Sequence, residues 1–70
     1  MNEELTDAQR AVLDFVRYEI EVKRCPPTRS DVARFFGWRS ANAAEEHLRA
    51  IERKGYITIE RGVSRGIRLA

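Results

Sequence analysis

One cysteine, one histidine and no long apolar run set the outer limits on what this chain can be. With Cys25 alone, no internal disulfide can form, and a reducing, intracellular setting is expected. Cys25 lies in a loop before Pro26 and reads as an incidental thiol, because a reactive one needs a cleft and a basic partner. No segment approaches the roughly 18 apolar residues of a membrane-spanning helix. The opening MNEELTDAQR is polar and acidic where a secretory leader is basic and then apolar, so no membrane partner is expected and the address is cytoplasmic. His47 has no second His, Cys or carboxylate at ligand spacing, so no metal and no other cofactor is expected.

What the chain does have is charge. Its 70 residues are 43% hydrophobic and 34% charged, an ordinary globular balance that suits one small domain over 1–70. The net charge of +2 is unevenly spread. From Met1 to Asp31 there are 5 Lys/Arg against 7 Asp/Glu, and from Val32 to Ala70 there are 8 against 4. Any anion-seeking surface therefore belongs to the C-terminal half. Charge alone fits a solvated surface equally well.

Helix signals divide the chain clearly. Thr6-Asp7-Ala8-Gln9 reads as a capping box, followed by Val12, Val16 and Ile20 at spacings of four with Leu13 and Phe15 beside them. A first helix is expected from Asp7 to about Lys23 or Arg24, stopped by Pro26 and Pro27. Thr28-Arg29-Ser30-Asp31 repeats the capping signal and starts a second helix whose buried side is Val32, Phe35 and Phe36. Gly37 suits the left-handed position that ends it. Trp38 and Arg39 turn the chain, with Trp38 packing over Phe35 or Phe36. Ser40 is placed to cap a third helix from Ala41 to about Lys54, closed by Gly55. On that helix Ala44, Leu48 and Ile51 form a narrow apolar stripe, with Asn42, Glu46, Arg49 and Arg53 opposite and Glu45 on the flank. His47 sits beside the stripe as a packed or hydrogen-bonded residue.

After Gly55 the period changes to two. Ile57 and Ile59 share one face, as do Ile67 and Leu69. Arg61, Gly62, Ser64, Arg65 and Gly66 form the basic turn between them. Three helices followed by a two-stranded antiparallel hairpin give an α+β, mainly α fold, the winged helix-turn-helix. In that architecture the third helix enters the DNA major groove and the wing reaches phosphate or the minor groove.

The residues PPTRSDVARFFGWRSANAAEEHLRAIERKGYITIERGVSRGIRL, with the opening LTDAQ, resemble the DNA-binding domain of the LexA family of bacterial SOS-response repressors over nearly the whole chain. The resemblance implies a sequence-specific transcriptional repressor of DNA-damage genes. It would bind a palindromic double-stranded operator in the bacterial nucleoid, as a dimer on DNA and a monomer alone. Carried onto matching positions, the base readers are Ser40, Asn42, Ala43, Glu45 and Glu46, and Arg65 of the wing contacts backbone. Arg29, Arg39, Arg49, Arg53, Lys54 and Arg61 are the further candidates for phosphate. Without the resemblance, Glu45 and Glu46 fit a solvated helix face, with Arg49 four residues beyond Glu45.

The family pattern places proline at the first position of the third helix, where this chain has Ala41; a helix start does not require it. Ser30, Ser40 and Ser64 are its only serines, and none is placed with a lysine as the family's self-cleaving dyad is, so no enzymatic activity is expected of this chain. It is expected to be the DNA-binding head of a longer repressor. The competing class is a protein-interaction module, an antirepressor that occupies another repressor. Against it, the outer face of the third helix carries no apolar anchor. One head meets one half-site and lacks the effective-concentration gain of a tethered pair. Operator binding by this chain alone is therefore expected to be weak and salt-sensitive, roughly micromolar, with sequence preference retained. Sedimentation and titration showing a stable dimer that binds tightly and only to paired half-sites would contradict this.

Overall fold

In the computed structural model, which describes residues 4–70, the chain forms α1 (Asp7–Glu21), α2 (Arg29–Phe36), α3 (Ala41–Arg53), β1 (Ile57–Ile59) and β2 (Ile67–Leu69). The first three residues of the 1–70 span lie outside the described residues. Three helices followed by a two-stranded antiparallel sheet make a winged helix-turn-helix. No helix among the described residues is long and apolar enough to cross a membrane.

Both capping boxes are in place. Gln9 N–H donates to Thr6 Oγ1 and Thr6 N–H to Gln9 Oε1, each at 3.1 Å. Asp31 N–H donates to Thr28 Oγ1 at 3.0 Å and Thr28 N–H to Asp31 Oδ2 at 3.1 Å. Each box satisfies donors that a helix start leaves without partners. Ser40 differs from expectation. It occupies the N-cap of α3 with extended backbone, but its side chain makes no capping hydrogen bond, which leaves its hydroxyl for other partners.

Helix ends are set by left-handed residues. Gly37 (φ 74°) lets its own N–H reach Arg34 O at 3.2 Å and Trp38 N–H reach Ala33 O at 2.8 Å. Gly55 (φ 91°) closes α3 in the same way, with Gly55 N–H to Glu52 O at 2.9 Å and Tyr56 N–H to Ile51 O at 3.2 Å. Both pairs are the 5→2 and 6→1 bonds of the Schellman closure, which glycine adopts without a Cβ penalty. The end of α1 comes earlier than the expected Lys23 or Arg24: the helix stops at Glu21 with Val22 as C-cap. Arg24 turns left-handed (φ 60°) and Cys25 N–H returns to Glu19 O at 3.1 Å. The chain must leave the helix before Cys25, whose backbone Pro26 holds out of the helical region.

The core draws on every element. Val12, Leu13 and Val16 of α1 meet Val32 and Ala33 of α2 and Ala44, Leu48 and Ile51 of α3, and the hairpin adds Ile57 and Ile67 from beneath. Leu5 and Pro27, neither of which the periodic pattern selects, are also buried. Strand register pairs Ile57 with Leu69 and Ile59 with Ile67. Glu52 of α3 accepts the Ile59 N–H at 2.9 Å, which ties the sheet to the helix.

Phe35 corrects the expected core. It is 63% exposed, whereas Ala33 is buried. At about 100° per residue, the buried arc of α2 runs from Val32 through Phe36 to Ala33, and Phe35 falls about 60° outside it. Its ring instead stacks on Phe15 of α1 at 4.2 Å. Trp38 stacks on Phe36 at 5.0 Å and on His47 at 4.6 Å. His47 Nδ1 lies 2.9 Å from the Ala43 carbonyl. An aromatic column thus joins α2, the turn and α3.

Ile51 is among the largest fully buried side chains, and stability in a chain this size is of order 0.05–0.15 kcal/mol per residue. Ile51→Ala is expected to cost ~2–5 kcal/mol in urea denaturation, a large share of the total. A cost below about 1 kcal/mol would mean that this site collapses around the smaller side chain far more completely than buried sites usually do.

Candidate nucleic-acid interface

Burial of Ala44, Leu48 and Ile51 decides which side of α3 faces outward. Asn42, Glu46, Arg49 and Arg53 are exposed there, and Glu45 is half-buried on the flank towards α2 and the wing. Ser40 is exposed at the head of the helix and Ala43 half-buried behind Asn42. The five expected base readers therefore cluster in the first turn and a half of one helix. A groove of about 740 Å3 opens beside them, lined in part by Arg29, Ser30, Glu45, Arg49, Arg61 and Ser64.

Two ion networks organise this surface. Glu45 bridges two arginines from different helices: its Oε1 accepts from Arg29 Nη1 of α2, and its Oε2 accepts from Arg49 Nε at 2.9 Å. Arg49, followed by Arg29, holds the Glu45 carboxyl below the usual glutamate value. It is therefore a charged acceptor at neutral pH.

The second network ties the wing to α2. Arg65 Nη1 donates to the Pro26 carbonyl at 2.8 Å and to Asp31 Oδ2 at 3.2 Å. Arg34 approaches the other Asp31 oxygen at 3.6 Å. Asp31 thus serves both as the acid of the capping box and as the anchor of the wing. The Thr28 backbone N–H is the main cause that lowers its pKa from the ordinary 3.8; partial burial opposes, and the Thr28 hydroxyl and Arg65 add to the lowering.

The other expected phosphate ligands divide. Arg39, Arg53 and Arg61 are exposed and carry no ion pair among the described residues. Lys54 is drawn away from this surface: its ammonium bonds Gln9 Oε1 at 2.7 Å and the Glu4 carbonyl at 3.0 Å, at the start of α1. Lys23, the other lysine, pairs with Glu19 at 3.3 Å. Sequence reading missed Asp31 as the anchor of the wing. Its spacing to Thr28 announces a cap, and nothing local announces a partner 34 residues away.

Comparison with known proteins gives a match of residues 2–66 to the family model described as LexA DNA binding domain. Over 69 residues the chain is 54% identical to a LexA repressor of Azoarcus sp., covering 99% of this chain and 34% of that protein. It is 52% identical over 65 residues to one from Colwellia psychrerythraea and 55% identical over 65 residues to one from Vibrio vulnificus, each time covering 93% of this chain and 31% of the relative. The chain thus spans about a third of the length of these relatives.

The lowered Asp31 value has a defined consequence for stability. A group whose folded pKa is depressed stabilises fully above its unfolded value, and that contribution is lost as pH falls through the folded value. Asp31→Asn is expected to lower the urea midpoint at pH 7 and to differ progressively less from the parent below about pH 4. A gap that stays constant into strong acid would contradict the ionic role.

Proposed function

The chain belongs to the LexA DNA-binding domain family, and we propose that it is the DNA-reading head of a transcriptional repressor of DNA-damage (SOS) response genes. Residues 1–70 act as one domain. The head of α3 enters the major groove of a half-site in a palindromic operator, and two copies meet on the DNA while each is a monomer alone. The setting is the bacterial cytoplasm, on the nucleoid. The observation that carries this reading is the outer face of α3, which is wholly polar, with the Glu45 carboxylate on its flank held between Arg29 and Arg49.

Carboxylates are repelled by phosphate, but they accept hydrogen bonds from cytosine N4, and an Asn amide pairs with the adenine edge. Glu45, Glu46 and Asn42 supply these groups, with Ser40 and Ala43 close enough for hydroxyl and methyl contacts. Arg39, Arg49, Arg53, Arg61 and Arg65 offset the repulsion at the backbone, where contacts position the protein without reading sequence, while Arg29 of the same candidate set is paired with Glu45. Lys54, the remaining candidate, has its ammonium committed to Gln9 and the Glu4 carbonyl at the start of α1. The glutamates thus give up general affinity and gain rejection of wrong sequences.

A second reading, a protein-docking or antirepressor module, has one observation on its side. Phe35 at 63%, Val22 at 61% and Tyr18 at 52% exposure stand near Phe15, which stacks on Phe35, and make an exposed apolar group on α1 and α2. DNA binding separates the two readings. Fluorescence anisotropy would use the best palindromic duplex that this chain selects from a randomised pool, and a scramble of it, across a salt series. Glu45→Ala is expected to narrow the preference between the duplexes by ~1–3 kcal/mol. Arg61→Ala is expected to weaken both alike and to reduce the slope of log K against log salt by about 0.9. Failure to select any duplex, even at low salt, would favour the docking module.

A further inference from the structure

Arg29 begins α2, a different helix from the one that carries the proposed readers, yet its guanidinium is paired with Glu45 of α3. The carboxylate of Glu45 is gripped at both oxygens. Arg49, one turn along the same helix, holds Oε2, and Arg29, across the turn, holds Oε1. A glutamate side chain has three rotatable bonds, and a single partner one turn along α3 leaves its carboxylate free to swing about that contact. A second partner from a separate element removes this freedom.

We propose that Arg29 is a specificity-determining positioning residue: it orients the Glu45 carboxylate for base reading, and its contribution to DNA recognition is discrimination between sequences. This rests on the proposed reading of Glu45 as a base contact. An ionised carboxylate has about four lone-pair sites, so the two arginine bonds leave capacity for a base amino group. The arginines also balance the charge of the carboxylate, which reduces its repulsion by phosphate. Arg29 suits the task because its planar fork fixes direction, whereas a lysine ammonium at the same place would be a point charge on a flexible stem. Capping of α2 does not depend on Arg29, because the Thr28 and Asp31 pair carries it. The Arg29 side chain is 57% exposed, so its replacement leaves the core untouched.

The test is a double-mutant cycle on Arg29→Ala and Glu45→Ala, with Arg29→Lys alongside. The readout is the ratio of affinities for the best palindromic duplex selected by the unchanged chain and for its scramble. The expected results are a roughly tenfold fall in the ratio for Arg29→Ala, a comparable fall for Arg29→Lys although its charge is kept, and no further fall when Arg29→Ala is added to Glu45→Ala. Equal loss on both duplexes with the ratio unchanged, or full retention in Arg29→Lys, would make Arg29 a simple phosphate ligand and overturn the inference alone. Additive losses in the double mutant would also overturn it, because Arg29 would then be acting independently of Glu45. An unchanged ratio in Glu45→Ala itself would remove the reader assignment, and this inference with it.

Discussion

The side of α3 that meets solvent depends on the removal of Ala44, Leu48 and Ile51 from water. Those three side chains occupy one narrow stripe of α3, so their burial against α1 and α2 sets the rotation of the helix about its own axis. Once that rotation is set, Asn42, Glu46, Arg49 and Arg53 have only the outward direction left. The axial position follows from the Schellman closures at Gly37 and Gly55, which stop α2 and α3 within two residues of where the glycines stand. The Phe36, Trp38 and His47 column then braces the turn between the two helices. Apolar packing provides the driving force here, and backbone closures provide the geometry.

Upon this frame the polar groups form a surface in which opposite charges are interleaved. Isolated exposed ion pairs contribute little to stability, typically under about 1 kcal/mol, and the significance of these lies in position. Glu45 joins α2 to α3 through Arg29, while Asp31 joins α2 to the wing through Arg65. The start of α2 is therefore the common anchor of α3 and the wing. Arg39, Arg53 and Arg61, exposed and without ion pairs among the described residues, supply unpaired positive charge. The wing sheet is short, three residues in each strand, and its attachment through Glu52 to Ile59 and Arg65 to Asp31 compensates for that brevity.

The helices were legible in the sequence because their signals are local. A threonine with Gln9 or Asp31 three residues on, a glycine after the last turn, and a change of period after Gly55 each act within a few residues. The motif resemblance over PPTR, RSANAAEEHL and SRGIRL pointed to the LexA family, and the family match agrees. What stayed hidden depends on the third dimension. Phe35 satisfies the spacing rule for a buried residue, yet a helix packed through Val32 and Ala33 turns that position outside its buried arc. Arg65 reads as a free cation in a basic turn until the fold brings Asp31 beside it. The early end of α1 follows from the space the chain needs to turn before two prolines. Leu5, ahead of the first cap, lies outside any periodic segment and still reaches the core.

The central claim is that this molecule meets DNA with the head of α3 and the wing, and that α1 faces away. Amide chemical-shift mapping during titration with the selected palindromic duplex tests that claim residue by residue. The account predicts that the largest changes fall on residues 39–49 and 61–65, with Tyr18 and Val22 unchanged. Changes centred on Phe15, Tyr18, Val22 and Phe35, with Glu45 and Glu46 unmoved, would contradict it.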